Sequence, residues 1–178
     1  FAIITLLGLF CLNSQIQALA PAWPQEGSDL KPDSKAKFGR LDNGLRYIIL
    51  PNDEPPGRAS LRLYLDAGSL MEADDQQGMA HFLEHMVFLG TKKFPDVSDF
   101  DNYLSTNGGS NNAYTASDRT NYHIEIRHEA FDGALDRFSQ FFVAPLFAPE
   151  FTEREMNAVD SEHQKNLEND GWREEVVR

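Results

Sequence analysis

A five-residue segment of this chain contains two histidines and a glutamate, His81, Glu84 and His85. In an α-helix, residues four apart lie one turn apart on one face, where two imidazoles can share a small cation. Glu84 would lie beside them, close enough to take a proton from metal-bound water without being a ligand itself. The segment therefore predicts a helix with a hydrolytic metal site on one face, and the fold must bring a further ligand to that face.

The third ligand must come from elsewhere in the chain, because a catalytic zinc usually has three protein ligands and one open position. The single cysteine, Cys11, lies in a segment that resembles a leader, so His, Asp or Glu remains. Residues 152–163 predict an acidic helix. Glu155 and Glu162 are seven residues apart in it and share one face, so either could complete the site.

Several motifs in this order point to one family: the 81–85 segment, Phe88–Thr91, Gly109–Thr115 and Asn157–Glu162. Together they resemble the inverzincin peptidases of the pitrilysin and insulin-degrading-enzyme (insulinase) family, from about Leu45 to the last residue. The resemblance implies a zinc-dependent endopeptidase with one Zn²⁺ ion. By that similarity His81, His85 and Glu162 would be the zinc ligands and Glu84 the general base. Glu155 would be an acid outside the ligand set that contacts one of the ligands.

Other readings of these residues stay open. Thr152 and Glu155 have the spacing of a helix capping box, and one carboxylate could both cap and orient a ligand. Glu162 could belong to a solvated face of an acidic helix. The remaining histidines and two loop acids are interpreted as structural or surface residues: His123, His128, His163, Asp74 and Asp75.

The expected mechanism follows from charge. Two neutral imidazoles and one carboxylate would leave a Zn²⁺ site with a net charge of about +1, which polarises a carbonyl and lowers the pKa of bound water toward about 7. Glu84 would accept the water proton and pass it to the departing amine. The predicted reaction is hydrolysis of peptides and small unfolded proteins without an acyl-enzyme.

Substrate binding is predicted at two short strands, 111–115 and 120–126, around a polar turn at 117–119. In similar enzymes the first strand is a sheet edge to which an extended peptide adds, so the resemblance makes Asn112 and Ala113 the candidates for backbone contacts. A plain hairpin would give the same pattern. Pairing through the backbone would favour peptide length and flexibility over one side chain.

The composition indicates an acidic globular protein. A net charge of -12 and a pI of about 4.7 argue against nucleic acid or anionic membrane as a partner. The uncharged apolar segment 1–12 and the small-x-small sequence Ala18–Ala20 predict a signal peptide over 1–20 whose basic start is missing. The segment is short for a stable membrane span, so we expect a periplasmic or secreted protein, with an uncleaved anchor as the alternative.

The periodicity predicts the remaining architecture. Residues 21–37 indicate a linker or extended arm, and 38–178 the N-terminal part of a catalytic domain that is truncated at its C-terminus. The predicted elements are an Asn43-Gly44 hairpin turn, strands 46–50 and 59–67, and helices ending near 89, over 97–107, over 128–143 and from 152 onward. A core stripe is predicted at Phe131, Leu135, Phe138 and Phe142.

These elements predict an α+β fold, a mostly antiparallel sheet packed by helices, as the incomplete first domain of a multi-domain peptidase. Similar peptidases have a second half that closes over the first, so the missing C-terminal half of the same chain is the expected partner and the isolated fragment should be weak or inactive. The alternatives are a non-catalytic zinc-binding or peptide-binding subunit of the same fold, or a narrower precursor-processing peptidase.

Overall fold

The computed structural model describes the backbone of residues 23–176 and the side chains of residues 23 and 25–165. The signal peptide predicted for residues 1–20 lies outside the described residues. The chain divides into two compact units, one up to Asn52 and one from Asp53 onward.

The first unit is built on a β-hairpin. Strands β1 (Lys37–Arg40) and β2 (Arg46–Ile49) pair antiparallel. The predicted turn between them is confirmed, because Gly44 has a φ of 92° and the Leu41 amide donates to the Leu45 carbonyl at 2.8 Å. A left-handed φ of this kind favours glycine, which lacks a Cβ.

The second unit contains a three-stranded antiparallel sheet. Its strands are β3 (Arg58–Leu65), β4 (Ser110–Thr115) and β5 (Thr120–Arg127), in the order β3-β5-β4. The predicted strands are confirmed within a few residues. Leu61 and Leu63 of β3 are partly buried against the core, whereas Leu65 at the end of β3 is 39% exposed.

Helices cover one face of this sheet. They are α1 (Met79–Met86), α2 (Asp99–Thr106), α3 (Phe131–Val143) and α4 (Thr152–Val176). Helix α1 ends earlier than the predicted limit near Leu89, because the chain tightens into 3₁₀-type bonds from Phe88 to His85 and from Leu89 to Met86.

The core lies between the helices and β5. Ile124 and Ile126 of β5 are fully buried and pack with Leu104 of α2. The stripe predicted on α3 is wrong at Leu135, which is 42% exposed, because the helix is rotated so that Phe141 faces inward. The ring centroids of Phe141 and Phe100 are 4.7 Å apart.

The architecture is therefore α+β, an antiparallel sheet with helices on one face, and the predicted fold class is confirmed. None of the helices within residues 23–176 is both long enough and apolar enough to cross a membrane.

Candidate metal centre

Helix α1 is held at its N-terminus by a residue from the preceding loop. The Glu72 carboxylate accepts hydrogen bonds from the amides of Gly78 and Ala80, both at 2.7 Å. The first amides of a helix have no partner within the helix and carry partial positive charge, so a carboxylate there is stabilising. Gly78 enters the helix with a φ of 89°, a conformation that suits glycine.

The two histidines of α1 point their ring nitrogens at one place. The Nε2 atoms of His81 and His85 are 3.2 Å apart, and both side chains are mostly buried. Their rings meet edge to face with an interplanar angle of 82°. This is the arrangement that the four-residue spacing predicts, because one helical turn separates the two side chains.

Glu162 of α4 completes the group. Its Oε2 lies 3.3 Å from Nε2 of His81 and 4.0 Å from Nε2 of His85. In tetrahedral zinc sites with ligand distances of 2.0–2.1 Å, neighbouring ligand atoms are about 3.3 Å apart. The His–His and His81–Glu162 separations match that spacing, and the His85–Glu162 separation is longer, at 4.0 Å. The donor set of two nitrogens and one oxygen therefore fits Zn²⁺.

Glu155, also on α4, binds the far side of His85. Its Oε2 is 3.0 Å from Nδ1 of His85, and its Oε1 accepts from the guanidinium of Arg154 at 2.7 Å. Burial raises the pKa of the Glu155 carboxyl, but the bonds from His85 and Arg154 outweigh it and leave the pKa below its ordinary value. A contact of this kind would favour the His85 tautomer that carries its proton on Nδ1 and leaves Nε2 to bind a cation.

The capping role that the sequence left open for Glu155 has no support in these contacts. Among the hydrogen bonds of the described residues, none joins the Glu155 carboxylate to the Thr152 amide.

Glu84 lies on the neighbouring face of α1 and is 7% exposed. Its Oε2 accepts a hydrogen bond from the Thr115 hydroxyl at 2.5 Å. Burial, together with the nearby negative charge of Glu84, raises the pKa of Tyr122. Glu84 and His85 line an open cavity of about 310 Å³ whose other walls are Phe88, Leu89, Asp101, Asn111, Asn112, Ala113 and Glu155.

Strand β4 forms an edge of the sheet beside this cavity, with no further strand paired to it among the described residues. The Ala116 amide donates to the Arg119 carbonyl at 2.7 Å, so Ala116 and Arg119 form a hydrogen-bonded pair. Because such pairs alternate, the backbone of Asn112 bonds to β5 and that of Ala113 points to the open edge. The Asn112 Oδ1 reaches the same edge and accepts from the Ala113 amide at 2.9 Å.

The other histidines lie outside the group of His81, His85 and Glu162. His163 lines a second cavity of about 330 Å³ between α1 and α4, and His81 is also in its wall. His123 is on β5 with its Nδ1 buried, and His128 contacts Glu129 at 3.4 Å. Sequence reasoning assigned no role to Glu72 or Thr115. The alternation along β4, which puts Thr115 and Ala113 on one face, was the available signal for Thr115.

We expect Glu155→Gln to weaken zinc binding by about 10- to 100-fold, because an amide loses the charge that holds the His85 proton on Nδ1. The measurement is zinc affinity of the intact protein by competition with a chromogenic chelator. Glu153→Gln is the matched control, since Glu153 is exposed on the same helix. An unchanged affinity in Glu155→Gln would contradict this role.

Comparison with known proteins identifies similar chains. The family model described as Insulinase (Peptidase family M16) matches residues 47–178. Human insulin-degrading enzyme is 44% identical over 144 residues, which are 80% of this chain and 14% of that enzyme. The A-factor-processing enzyme of Saccharomyces cerevisiae is 46% identical over 147 residues, 81% of this chain and 14% of the enzyme.

The solved structures that resemble this chain also include a protease. The crystal structure of pitrilysin matches with a TM-score of 0.68 at 35% identity, over 79% of this chain and 15% of that chain. The first half of the periplasmic protease PqqL from Escherichia coli matches with a TM-score of 0.69 at 34% identity, over 76% and 30% of the two chains. The chain thus spans about one seventh of the length of the curated relatives named above.

Proposed function

The chain belongs to the insulinase family of peptidases, and we propose that it carries the zinc-binding site of a metalloendopeptidase. The observation that supports this most directly is the meeting of α1 and α4, where His81, His85 and Glu162 point ligand atoms at one place. The presence of Glu84 beside the complete ligand set favours an enzyme over a non-catalytic zinc-binding or peptide-binding subunit.

The proposed reaction uses each residue of the site for a separate task. His81, His85 and Glu162 would hold Zn²⁺, and Glu155 would keep His85 in the ligating tautomer. A zinc ion held there would supply Lewis acidity to the peptide carbonyl and the attacking water. Glu84 accepts a proton from that water at its carboxylate and returns it to the departing amine.

The proposed substrates are peptides and small unfolded proteins in extended conformation. An extended segment would pair with the open edge of β4, where the Ala113 backbone and the Asn112 side chain lie beside the cavity of Glu84 and His85. Because the relatives are much longer, we propose that a later part of the same protein encloses the substrate and that residues 1–178 alone cleave weakly or not at all.

A periplasmic or secreted location is proposed from the predicted signal peptide at residues 1–20. The likeness to a protease that is itself described as periplasmic supports it.

The test is cleavage of an internally quenched fluorogenic peptide by the intact protein, with and without a zinc chelator. We expect a thorough chelator treatment to abolish cleavage and added zinc to restore it. Cleavage that survives chelation would point to a different catalytic centre.

A further inference from the structure

Thr115, the last residue of β4, contacts Glu84 through its side chain. Its Oγ1 is 2.5 Å from Oε2 of Glu84 and 3.4 Å from the hydroxyl of Thr120. Thr120 donates its own proton to the Ala67 carbonyl at 2.9 Å. Because an ionised carboxylate can only accept, Thr115 must donate to Glu84. The hydroxyl proton of Thr115 is therefore used in the hydrogen bond to Oε2 of Glu84.

This bond fixes the orientation of a buried carboxylate. Glu84 is 7% exposed, and in the part of the chain that the structure describes, its Oε1 has no hydrogen-bond partner. Short O–H···O⁻ bonds are among the stronger hydrogen bonds in proteins. With Oε2 held by Thr115, Oε1 is the oxygen left to accept a proton from water.

The backbone of Thr115 lies at the open edge of the sheet. Thr115 and Thr120 are register partners next to the hydrogen-bonded pair Ala116 and Arg119, so they form a non-hydrogen-bonded pair. The close approach of their hydroxyls agrees with that, since side chains are nearer in such pairs. The N–H and C=O of Thr115 therefore point away from β5, as those of Ala113 do.

We propose that Thr115 is a positioning residue that holds Glu84 in its proton-accepting orientation from the same strand that pairs with the substrate. This proposal rests on the proposed peptidase function. In this arrangement β4 pairs with the substrate peptide and also holds Glu84, so the base has a fixed position relative to the peptide. Thr115 acts through Glu84 and touches none of His81, His85 and Glu162 in the described contacts.

The test compares Thr115→Val with Thr115→Ser in the intact protein. Valine keeps the branched shape and the edge backbone but has no hydroxyl. We expect Thr115→Val to lower kcat by about 10- to 100-fold, part of the 10²–10⁴-fold that a positioned base contributes. KM and zinc content should not change, because neither depends on the hydroxyl. Thr115→Ser should recover most of kcat.

Thr106→Val is the matched control, because Thr106 is exposed at the end of α2. If Thr115→Val fails to fold, Thr115→Ala replaces it in the comparison with Thr115→Ser. A folded hydroxyl-free variant with the kcat of the original protein overturns the proposal, as does an equal loss in Thr115→Ser. Failure of the peptidase function itself is distinguishable, because the unsubstituted protein would then show no chelator-sensitive cleavage.

Discussion

Replacing Glu84 by glutamine is expected to remove nearly all peptide cleavage while zinc stays bound. The amide has nearly the same shape and can still accept the hydrogen bond from Thr115, but it cannot take up a proton. General bases contribute about 10²–10⁴-fold to rate, so kcat should fall by at least that order. Zinc binding should persist, because Glu84 is not among the three residues whose ligand atoms meet.

The measurement is kcat on a fluorogenic peptide together with zinc content, both in the intact protein. Glu153→Gln makes the same chemical change at an exposed position of α4 and should behave like the unsubstituted protein. Normal cleavage by Glu84→Gln would show that the base is another residue.

Replacing His81 by alanine is expected to abolish metal binding and activity together. His81 supplies one of three ligand atoms and is the histidine closer to Glu162, at 3.3 Å. Replacing a residue that only contacts a ligand typically weakens metal binding by about 10- to 100-fold. The loss of the ligand His81 should weaken zinc binding by more than that. The expected result is a purified protein with little zinc and no chelator-sensitive cleavage.

Zinc content after dialysis and the affinity from chelator competition are the measurements. His128→Ala is the control, because the His128 side chain is 65% exposed. Full zinc occupancy in His81→Ala would mean that the metal is held by other residues. The two variants together separate metal binding from proton transfer, since only Glu84→Gln should keep the ion.

The local parts of the site were predictable from sequence, because the spacing of His81 and His85 fixes their relation within one helix. The helix spacing alone left the choice between Glu155 and Glu162 open, since both share one face of α4, and the family resemblance made the assignment. Glu162 reaches the Nε2 atoms, whereas Glu155 reaches the opposite nitrogen of His85. Their use as zinc ligand and orienting acid remains a prediction.

The fold was predictable in its elements and less so in its packing. The stripe predicted on α3 is wrong at Leu135 and omitted Phe141, because Phe138 belongs equally to the predicted stripe and to one that continues with Phe141. Periodicity cannot choose between two stripes that share a residue when aromatic side chains occur on both. Thr115 was missed for a similar reason, since a threonine in a strand is ordinary until the register places its hydroxyl against Glu84.

Because Glu72 bonds to the start of α1, the length of the loop at residues 73–77 should influence the orientation of the helix that carries His81 and His85. Inserting or deleting a residue there would move the carboxylate relative to the helix and tilt both imidazoles without replacing either one. Laboratory selection on this loop should therefore give variants in which turnover changes although every side chain that faces the substrate stays the same.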